Sequence, residues 1–191
     1  MLIATDSPSG DLGDAREPWH RDRPYDPYLQ LENWRQRRQL GKSLRAKTPR
    51  RSQGDWQPDP TRPDPVATIV AANQTRQAHL LPLRIGRMAA SPYAFFRGTA
   101  GIMAWDLARS SVTSGTSVII DGDAHLENFG LYGTPQRTVV FDLDDFDDVA
   151  YGPWEWDLKR LAVSANLAGR DRGLSRRDRR EAAMACVAGY Q

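Results

Sequence analysis

The sequence predicts an α+β fold in which short strands lie between helical segments. Two runs of β-branched residues, TSVII at 116–120 and TVVF at 138–141, are typical of buried strands. Helical patterns flank them, at 65–79 on one side and from about 154 to 168 on the other. Between the strands, YGTPQR at 132–137 carries Gly and Pro turn signals, so we expect the two strands to form a hairpin or to lie side by side.

Residues 1–64 predict an extended or loosely packed arm with one helix. Nine of the thirteen prolines lie within the first 65 residues, where aliphatic residues are few. The helix is predicted at 28–45 and is rich in arginine. A solvated charged face explains it better than contact with nucleic acid or lipid, because the net charge of the chain is only +2. We therefore expect neither nucleic acid nor a membrane as a partner.

A domain is predicted from residue 65 onward. Its first helix, at 65–79, has Asp64 as N-cap and Pro65 at the first helical position. The last helical pattern, EAAMACVAGY at 181–190, reaches the end of the sequence, and we expect a partial protein because such a helix lacks the surface that would cover it. No apolar run has the length of a membrane helix or a signal-peptide core, so a cytoplasmic location is the expectation.

Carboxylates are concentrated where the two predicted strands end. Between residues 121 and 148 there are eight acidic residues and one basic side chain, Arg137. Folding these acids close together favours a hard divalent ion such as Mg²⁺, which takes carboxylate and amide oxygens together with the oxygens of a bound phosphate. Asn128 and Asp142 are the predicted metal ligands, and Asp145 is the next choice. Most of the other acids are expected to face solvent.

The order of Asp123, Asn128 and Asp142 is that of a phosphoryl-transfer site. In a kinase-type site an Asp orients the substrate hydroxyl, an Asn five residues later holds one metal ion, and a later Asp holds the ion that bridges the phosphates. Asp123 is therefore the predicted catalytic residue. His125 stands beside it in the predicted catalytic loop, where a hydrogen-bonding scaffold role is favoured over proton transfer. The simpler alternative for Asp123 is the cap of a turn or helix.

The string Gly122-Asp123-x-His125-x-x-Asn128 resembles the catalytic loop of aminoglycoside and choline kinase-like phosphotransferases. This resemblance implies a protein-kinase-like fold of the aminoglycoside phosphotransferase type, with ATP and Mg²⁺ as cofactors. It also implies that Asp157, in the helical segment WEWDLKRLA, is a structural acid that braces the catalytic loop.

A cation for the nucleotide phosphates is harder to assign. Kinase-like enzymes usually place a Lys there, but this chain has three lysines against twenty-three arginines, and no lysine lies on a predicted strand. Arg97 is the predicted replacement, because it stands in an apolar segment where an unpaired guanidinium is costly and an anionic partner is expected. Arg84 and Arg87 are weaker candidates. An ion pair between Arg97 and one of the clustered acids is an equally good explanation.

Six blocks occur in a characteristic order over about residues 41–175: GKSLRAKTPR, RPDPV, LLPLRIGRMAASPYAFFRG, GDAHLENFG, FDLDDFDD and GPWEWDLKRLAVSANLAGR. They resemble the bacterial family catalogued as domain of unknown function 2252, which usually has Asn at the position of Asp144 and Glu at that of Asp148. Members are longer, so the resemblance implies a partial kinase-like domain over 65–191, truncated after the catalytic hairpin and bracing helix. A small-lobe remnant would reach about residue 108, and the catalytic and metal-binding segment would span 116–168.

Three functions stay open from the sequence, and so does the question of whether the chain is an enzyme. The first is a Mg-ATP-dependent phosphotransferase, or nucleotidyl transferase, acting on a hydroxyl of a small molecule or protein. The second is an inactive pseudokinase that binds a nucleotide, favoured by the missing Lys and opposed by the intact Asp123, Asn128 and Asp142. The third is a metal-dependent phosphoesterase, for which the three histidines are too few to build a two-metal site. The acceptor and the oligomeric state are not predicted.

Overall fold

Helices and short antiparallel strands alternate along the chain in the computed structural model, which describes residues 33–110 and 112–190. The described α-helices are Trp34–Lys47 (α1), Pro65–Asn73 (α2), Leu81–Met88 (α3), Pro92–Arg97 (α4), Ala100–Ser110 (α5), Glu155–Asp171 (α6) and Arg176–Tyr190 (α7). The strands are Ser117–Ile120 (β1), Phe129–Gly133 (β2), Val139–Leu143 (β3) and Ala150–Pro153 (β4). Short 3₁₀ turns lie at Arg50–Gly54, Ala78–Leu80 and Leu126–Asn128. The predicted α+β class is confirmed.

The N-terminal caps explain where the first helices begin. Asn33 forms a capping box with Gln36 at the start of α1, and residues 28–32 of the predicted helix lie outside the described residues. Asp64 accepts a hydrogen bond from the Val66 amide, and Pro65 opens α2, as predicted. The predicted end of this helix at residue 79 is wrong, because α2 ends at Asn73. The residues that follow, QTRQ at 74–77, offer no apolar face that packing could stabilise.

Two separate two-stranded sheets lie at the centre of the chain. β1 pairs antiparallel with β4, with Ser117 opposite Pro153, and β2 pairs antiparallel with β3, with Phe129 opposite Leu143. The expectation that β1 and β3 form a hairpin or lie side by side is therefore wrong. The predicted turn at 132–137 is real, but it joins β2 to β3, and the two glycines of FGLYG hide β2 from a propensity-based prediction.

Helix α6 buries one face against the rest of the domain. Its buried residues recur at helical spacing, namely Glu155, Arg160, Ser164, Ala165 and Gly169. It packs against α7, α4 and the 3₁₀ turn at Leu126–Asn128. Gly169 permits the close approach of α7, since a Cβ there would meet the Arg179 side chain at 2.9 Å.

Contacts also tie the described part of the N-terminal arm to the domain. Arg62 forms a two-pronged ion pair with Asp106 of α5, at 2.6 and 2.8 Å, and the Thr48 hydroxyl donates to the Thr113 carbonyl at 3.3 Å. Large apolar side chains of the β2–β3 hairpin remain exposed, including Leu131, Val139 and Phe141. Among the helices that the structure describes, none is long and apolar enough to span a membrane.

Candidate active site

Residues 121–128, here called the Asp123 loop, follow β1 and end in the 3₁₀ turn before β2. Internal hydrogen bonds make the loop compact, since the His125 amide donates to the Asp123 carbonyl at 2.6 Å and the Asn128 amide donates to the His125 carbonyl at 2.9 Å. Gly122 adopts a φ of 84°, and a Cβ at this position would lie 2.3 Å from the Asp148 carbonyl oxygen. Only glycine fits this contact between the Asp123 loop and the acidic segment, residues 142–148.

Asp157 of α6 holds the backbone at the start of the Asp123 loop. Its Oδ2 accepts from the Asp121 amide at 2.7 Å and its Oδ1 from the Gly122 amide at 3.0 Å. Both carboxylate oxygens are thus used on the backbone. The predicted role of Asp157 as a brace of this loop is confirmed by these contacts.

Arg160 binds the side chain of Asp123, whereas Asp157 binds the backbone of the loop. Its Nε and Nη2 both donate to Asp123 Oδ1, and Nη2 also donates to the Phe96 carbonyl at 3.0 Å. The guanidinium lies over the Phe96 ring at 4.4 Å from the centroid, and the side chain of Arg160 is only 2% exposed. Burial raises the pKa of Asp123, and the charge of Arg160 opposes that rise.

Sequence reasoning missed Arg160, although a signal was present. Arginine three residues after Asp157 lies on the same helix face as the predicted brace, and Ser164 follows four residues later. Ser164 is fully buried, and its hydroxyl accepts from the Leu126 amide at 3.1 Å. Asp157, Arg160 and Ser164, called the α6 stripe below, contact the beginning, middle and end of the Asp123 loop.

Asn128 links the Asp123 loop to the acidic segment. Its buried side-chain NH₂ donates to the Asp123 carbonyl at 3.0 Å, and its own backbone carbonyl accepts from the Asp144 amide at 3.0 Å. Because the NH₂ end of the amide is used within the loop, the oxygen end is the part of Asn128 that can bind a cation.

His125 is held neutral inside the Asp123 loop. It is 4% exposed, and its Nε2 lies 3.9 Å from Asp123 Oδ2, too far for a hydrogen bond. Burial, together with the charges of Arg160 and Arg97, lowers the pKa of His125 to about 4. A histidine that stays neutral at pH 7 suits the scaffold role better than a proton-carrying one.

The two predicted acidic metal ligands occupy different places. Asp142 lies within β3 opposite Gly130, and its carboxylate accepts from the amide of the next residue, Leu143, at 2.9 Å. Asp145 lies beyond the strand. Burial is the main cause of the pKa shifts of Asp121, Asp123 and His125, and the negative charge of Asp145 adds a smaller upward contribution to each. Asp145 therefore contributes to the electrostatic field at the Asp123 loop.

The predicted metal ligands Asp142 and Asp145 do not form a closed coordination site. Both Asp142 and Asp145 are exposed. Within residues 33–110 and 112–190, no group of three or more His, Cys, Asp or Glu side chains is arranged to hold a metal ion. One or two carboxylates and an amide oxygen are a donor set that fits Mg²⁺ when phosphate oxygens and water complete the shell.

Asp121 is the second polar residue that sequence reasoning did not single out. It is 5% exposed, and neither carboxylate oxygen has a hydrogen-bond partner among the described residues. Burial raises its pKa to about 6, and the negative charges of Asp157 and Asp123 add to the effect. Asp121 is therefore a buried carboxyl without a hydrogen-bonded cation among the described residues, two positions before Asp123.

The arginine candidates also differ in their surroundings. Arg97 and Glu127 form an ion pair at 2.6 Å, and both side chains are exposed, so the expectation of an apolar environment for Arg97 is wrong. Arg84 of α3 is half-buried, donates from Nη2 to the Gly98 carbonyl at 3.0 Å, and has a buried Nε without a partner in the described part of the chain. Burial lowers the pKa of Arg84, whereas the charges of Asp123 and Asp148 raise it.

Residues 76–191, from just before α3 onward, match a family described as "Uncharacterized protein conserved in bacteria (DUF2252)". This match covers more than half of the chain and includes every contact of the Asp123 loop given above. The chain therefore belongs to this family. No curated protein and no solved structure matches it.

Proposed function

We propose that this member of the DUF2252 family is a Mg-ATP-dependent phosphotransferase with a kinase-like fold that acts on a hydroxyl acceptor. One observation carries the proposal. The Asp123 loop is folded so that Asp157 holds its backbone, the Asn128 amide donates to the Asp123 carbonyl, and the chain then passes through a hairpin to an acidic segment. This is the order of parts that phosphoryl transfer requires, an orienting Asp followed by an Asn and a later Asp for the metal.

Asp123 is the proposed catalytic residue. Its carboxylate would accept a hydrogen bond from the acceptor hydroxyl, orient the oxygen towards the γ-phosphorus, and receive the proton as the new O–P bond forms. The bond from the γ-phosphorus to the β,γ-bridging oxygen breaks, and ADP leaves. His125 would support this loop as a buried neutral side chain.

Metal binding is proposed for Asn128, Asp145 and Asp142, in that order of support. Asn128 is fixed against Asp123, and the charge of Asp145 contributes to the field at the loop, whereas Asp142 lies within β3 opposite Gly130. Bound Mg²⁺ would supply neutralisation of the charge on the nucleotide phosphates. The side chains themselves would fix the position of the phosphates relative to Asp123.

Arg84 is a better candidate than Arg97 for the cation that meets the phosphates. Arg97 already has an anionic partner in Glu127, whereas Arg84 combines partial burial with an unused Nε donor and lies within the field of Asp123 and Asp148. A desolvated guanidinium with a spare donor is typical of a phosphate site. Arg84 would thus take the place of the lysine that kinase-like enzymes usually have.

Turnover of labelled ATP tests the proposed function. The full chain would be incubated with Mg²⁺ and ATP labelled on the γ- or the α-phosphate, with water or a panel of small hydroxyl compounds as acceptor. We expect the parent to transfer the γ-phosphate from ATP, and we expect the rate of this transfer to fall by at least about 100-fold in Asp123→Asn. Asp147→Asn, a change of the same kind in the exposed acidic segment, is the matched control and should retain turnover.

The label position separates the related reactions. Transfer of the α-label to an acceptor would indicate nucleotidyl transfer by the same residues. Nucleotide consumption that is unchanged in Asp123→Asn, or absent in the parent with every acceptor, would contradict a phosphotransferase. Binding without turnover would favour the pseudokinase.

A further inference from the structure

The two oxygens of the Asp123 carboxylate have different environments. Oδ1 receives two N–H groups from Arg160, whereas Oδ2 faces the ring of His125, whose Nε2 lies 3.9 Å away. At that distance His125 does not hydrogen-bond to Oδ2. The side chain of Asp123 is 18% exposed. One oxygen is therefore anchored, while the other is the one a substrate can reach.

Arg160 is a rigid anchor because three elements fix it. It projects from α6, bonds to the Phe96 carbonyl of α4 at 3.0 Å, and lies 3.7 Å from the Met103 sulfur of α5. Its guanidinium is stacked on the Phe96 ring as well. Arginine keeps its charge at any pH a protein tolerates, so titration of Arg160 does not break this contact to Asp123.

The backbone of the Asp123 loop is held without Arg160. Asp157 binds the amides of Asp121 and Gly122, and Ser164 binds the amide of Leu126. Two ends of the loop are thus fixed by other members of the α6 stripe. What Arg160 adds is a fixed direction for one side chain in the middle.

We propose that Arg160 is a positioning residue that anchors Oδ1 of Asp123, so that Oδ2 alone faces the acceptor hydroxyl. This inference rests on the proposed function for its chemistry, because the proton of the acceptor hydroxyl would move to Oδ2 as the phosphoryl group is transferred. Even with its pKa raised by burial, the Asp123 carboxylate is a far weaker base than an alkoxide. Its main contribution is therefore orientation of the hydroxyl rather than removal of the proton before transfer.

The kinetic test compares charge and shape at position 160. In the full chain, Arg160→Met removes the guanidinium at similar length, and Arg160→Lys keeps a positive charge without the fork that reaches Oδ1 twice. We expect kcat for ATP turnover to fall about 100-fold in Arg160→Met and about tenfold in Arg160→Lys. The Kd for Mg-ATP should stay within about twofold, because the Arg160 side chain is only 2% exposed and would not contact the nucleotide.

Arg62→Met is the matched control for these variants. It breaks another two-pronged arginine–carboxylate pair, to Asp106 of α5, in which neither residue belongs to the Asp123 loop. Its kcat should remain within about twofold of the parent. Equal kcat values for the parent and Arg160→Met would overturn the positioning role, and so would a rise in Kd that matches the loss of turnover.

A second measurement decides the anchoring role even if the parent turns over no ATP. Amide hydrogen exchange at Asp121, Gly122 and Leu126 and the χ1 couplings of Asp123 would be recorded by NMR for the parent and Arg160→Met. We expect the three amides to stay protected while Asp123 changes from one rotamer to an average of several. Loss of protection at all three amides, or a single unchanged rotamer, would show that Arg160 does not act on the side chain alone.

Discussion

The Asp123 loop lies between two regions of opposite character. On one side, the α6 stripe of Asp157, Arg160 and Ser164 contacts it through partly or fully buried groups that pair with backbone amides or with the Asp123 carboxylate. On the other side, the acidic segment 142–148 is largely exposed and has an excess of negative charge. The first region is built to hold a conformation, and the second has the charge and exposure that a soluble cation requires.

Asp121 is the point at which this contrast breaks down. It lies on the buried side, yet its carboxylate has no hydrogen-bond partner in the described residues and its pKa is raised to about 6. The buried region therefore contains a charged group that is not optimised for stability. Such exceptions concentrate where a site serves something other than folding.

The largest expected effect comes from removing the brace. Asp157→Ala leaves the buried amides of Asp121 and Gly122 without acceptors, and we expect the free energy of unfolding to fall by about 4 kcal/mol, since two bonds to a charged group are lost. Urea unfolding monitored by circular dichroism measures this. Asp147→Ala on the exposed side is the control and should change stability by no more than about 0.5 kcal/mol. Similar losses in the two variants would show that the two regions do not differ as described.

The next effect tests the contact between the regions themselves. Gly122→Ala places a Cβ 2.3 Å from the Asp148 carbonyl oxygen and in a left-handed conformation, with φ of 84°. We expect a loss of about 3 kcal/mol, from backbone strain and overpacking together.

Gly115→Ala separates these two contributions. Gly115 has a similar φ of 81°, but nothing lies within 4 Å of the added Cβ, so only the backbone term of about 1 kcal/mol should appear. Equal losses in the two alanine variants, measured by the same urea titrations, would mean that the Asp123 loop and the acidic segment do not touch.

A smaller effect of opposite sign is expected at Asp121. Its folded pKa of about 6 exceeds the ordinary 3.8, so the folded state binds the proton more tightly and the residue destabilises the fold as pH rises through 6. Asp121→Asn should therefore be more stable than the parent by about 2 kcal/mol at pH 8 and by only about 0.5 kcal/mol at pH 4.

The quantity to measure is the difference in the free energy of unfolding between Asp121→Asn and the parent at each pH. His125 has a depressed pKa, so its contribution to stability is present above its ordinary 6.5 and is lost as pH falls towards 4. Because this contribution is common to both chains, it cancels in the difference. A difference that is the same at pH 4 and pH 8 would contradict an unpaired charge at Asp121.

Local chemistry was the part that the sequence predicted well. Asp64 and Pro65 start α2, and Asp157 binds the loop that follows β1, because caps and braces depend on residues close in sequence or on a strongly patterned motif. β1 and β3 also lie close to their predicted positions. The predicted pairing of β1 with β3 is wrong, because strand pairing is decided by the whole fold rather than by β-propensity.

Arg160 and Asp145 illustrate what a single sequence leaves open. A buried arginine in a helix has the same pattern as a solvated one, and only the positions of Phe96 and Asp123 show that it is enclosed. Asp142 and Asp145 are three residues apart in an acidic run, and the end of β3 decides which of them lies beyond the strand. Neither fact can be read from composition or spacing.

Calorimetric titration of ATP, with and without Mg²⁺, tests the central claim most directly. The titrations would use the full chain and the variants Asp145→Ala, Asp142→Ala and, as control, Asp147→Ala. Magnesium-dependent binding that is lost in Asp145→Ala, weakened less in Asp142→Ala and kept in Asp147→Ala is the predicted result. No ATP binding in the parent, or binding that is the same in all four chains and indifferent to Mg²⁺, would contradict a phosphotransferase site at the Asp123 loop.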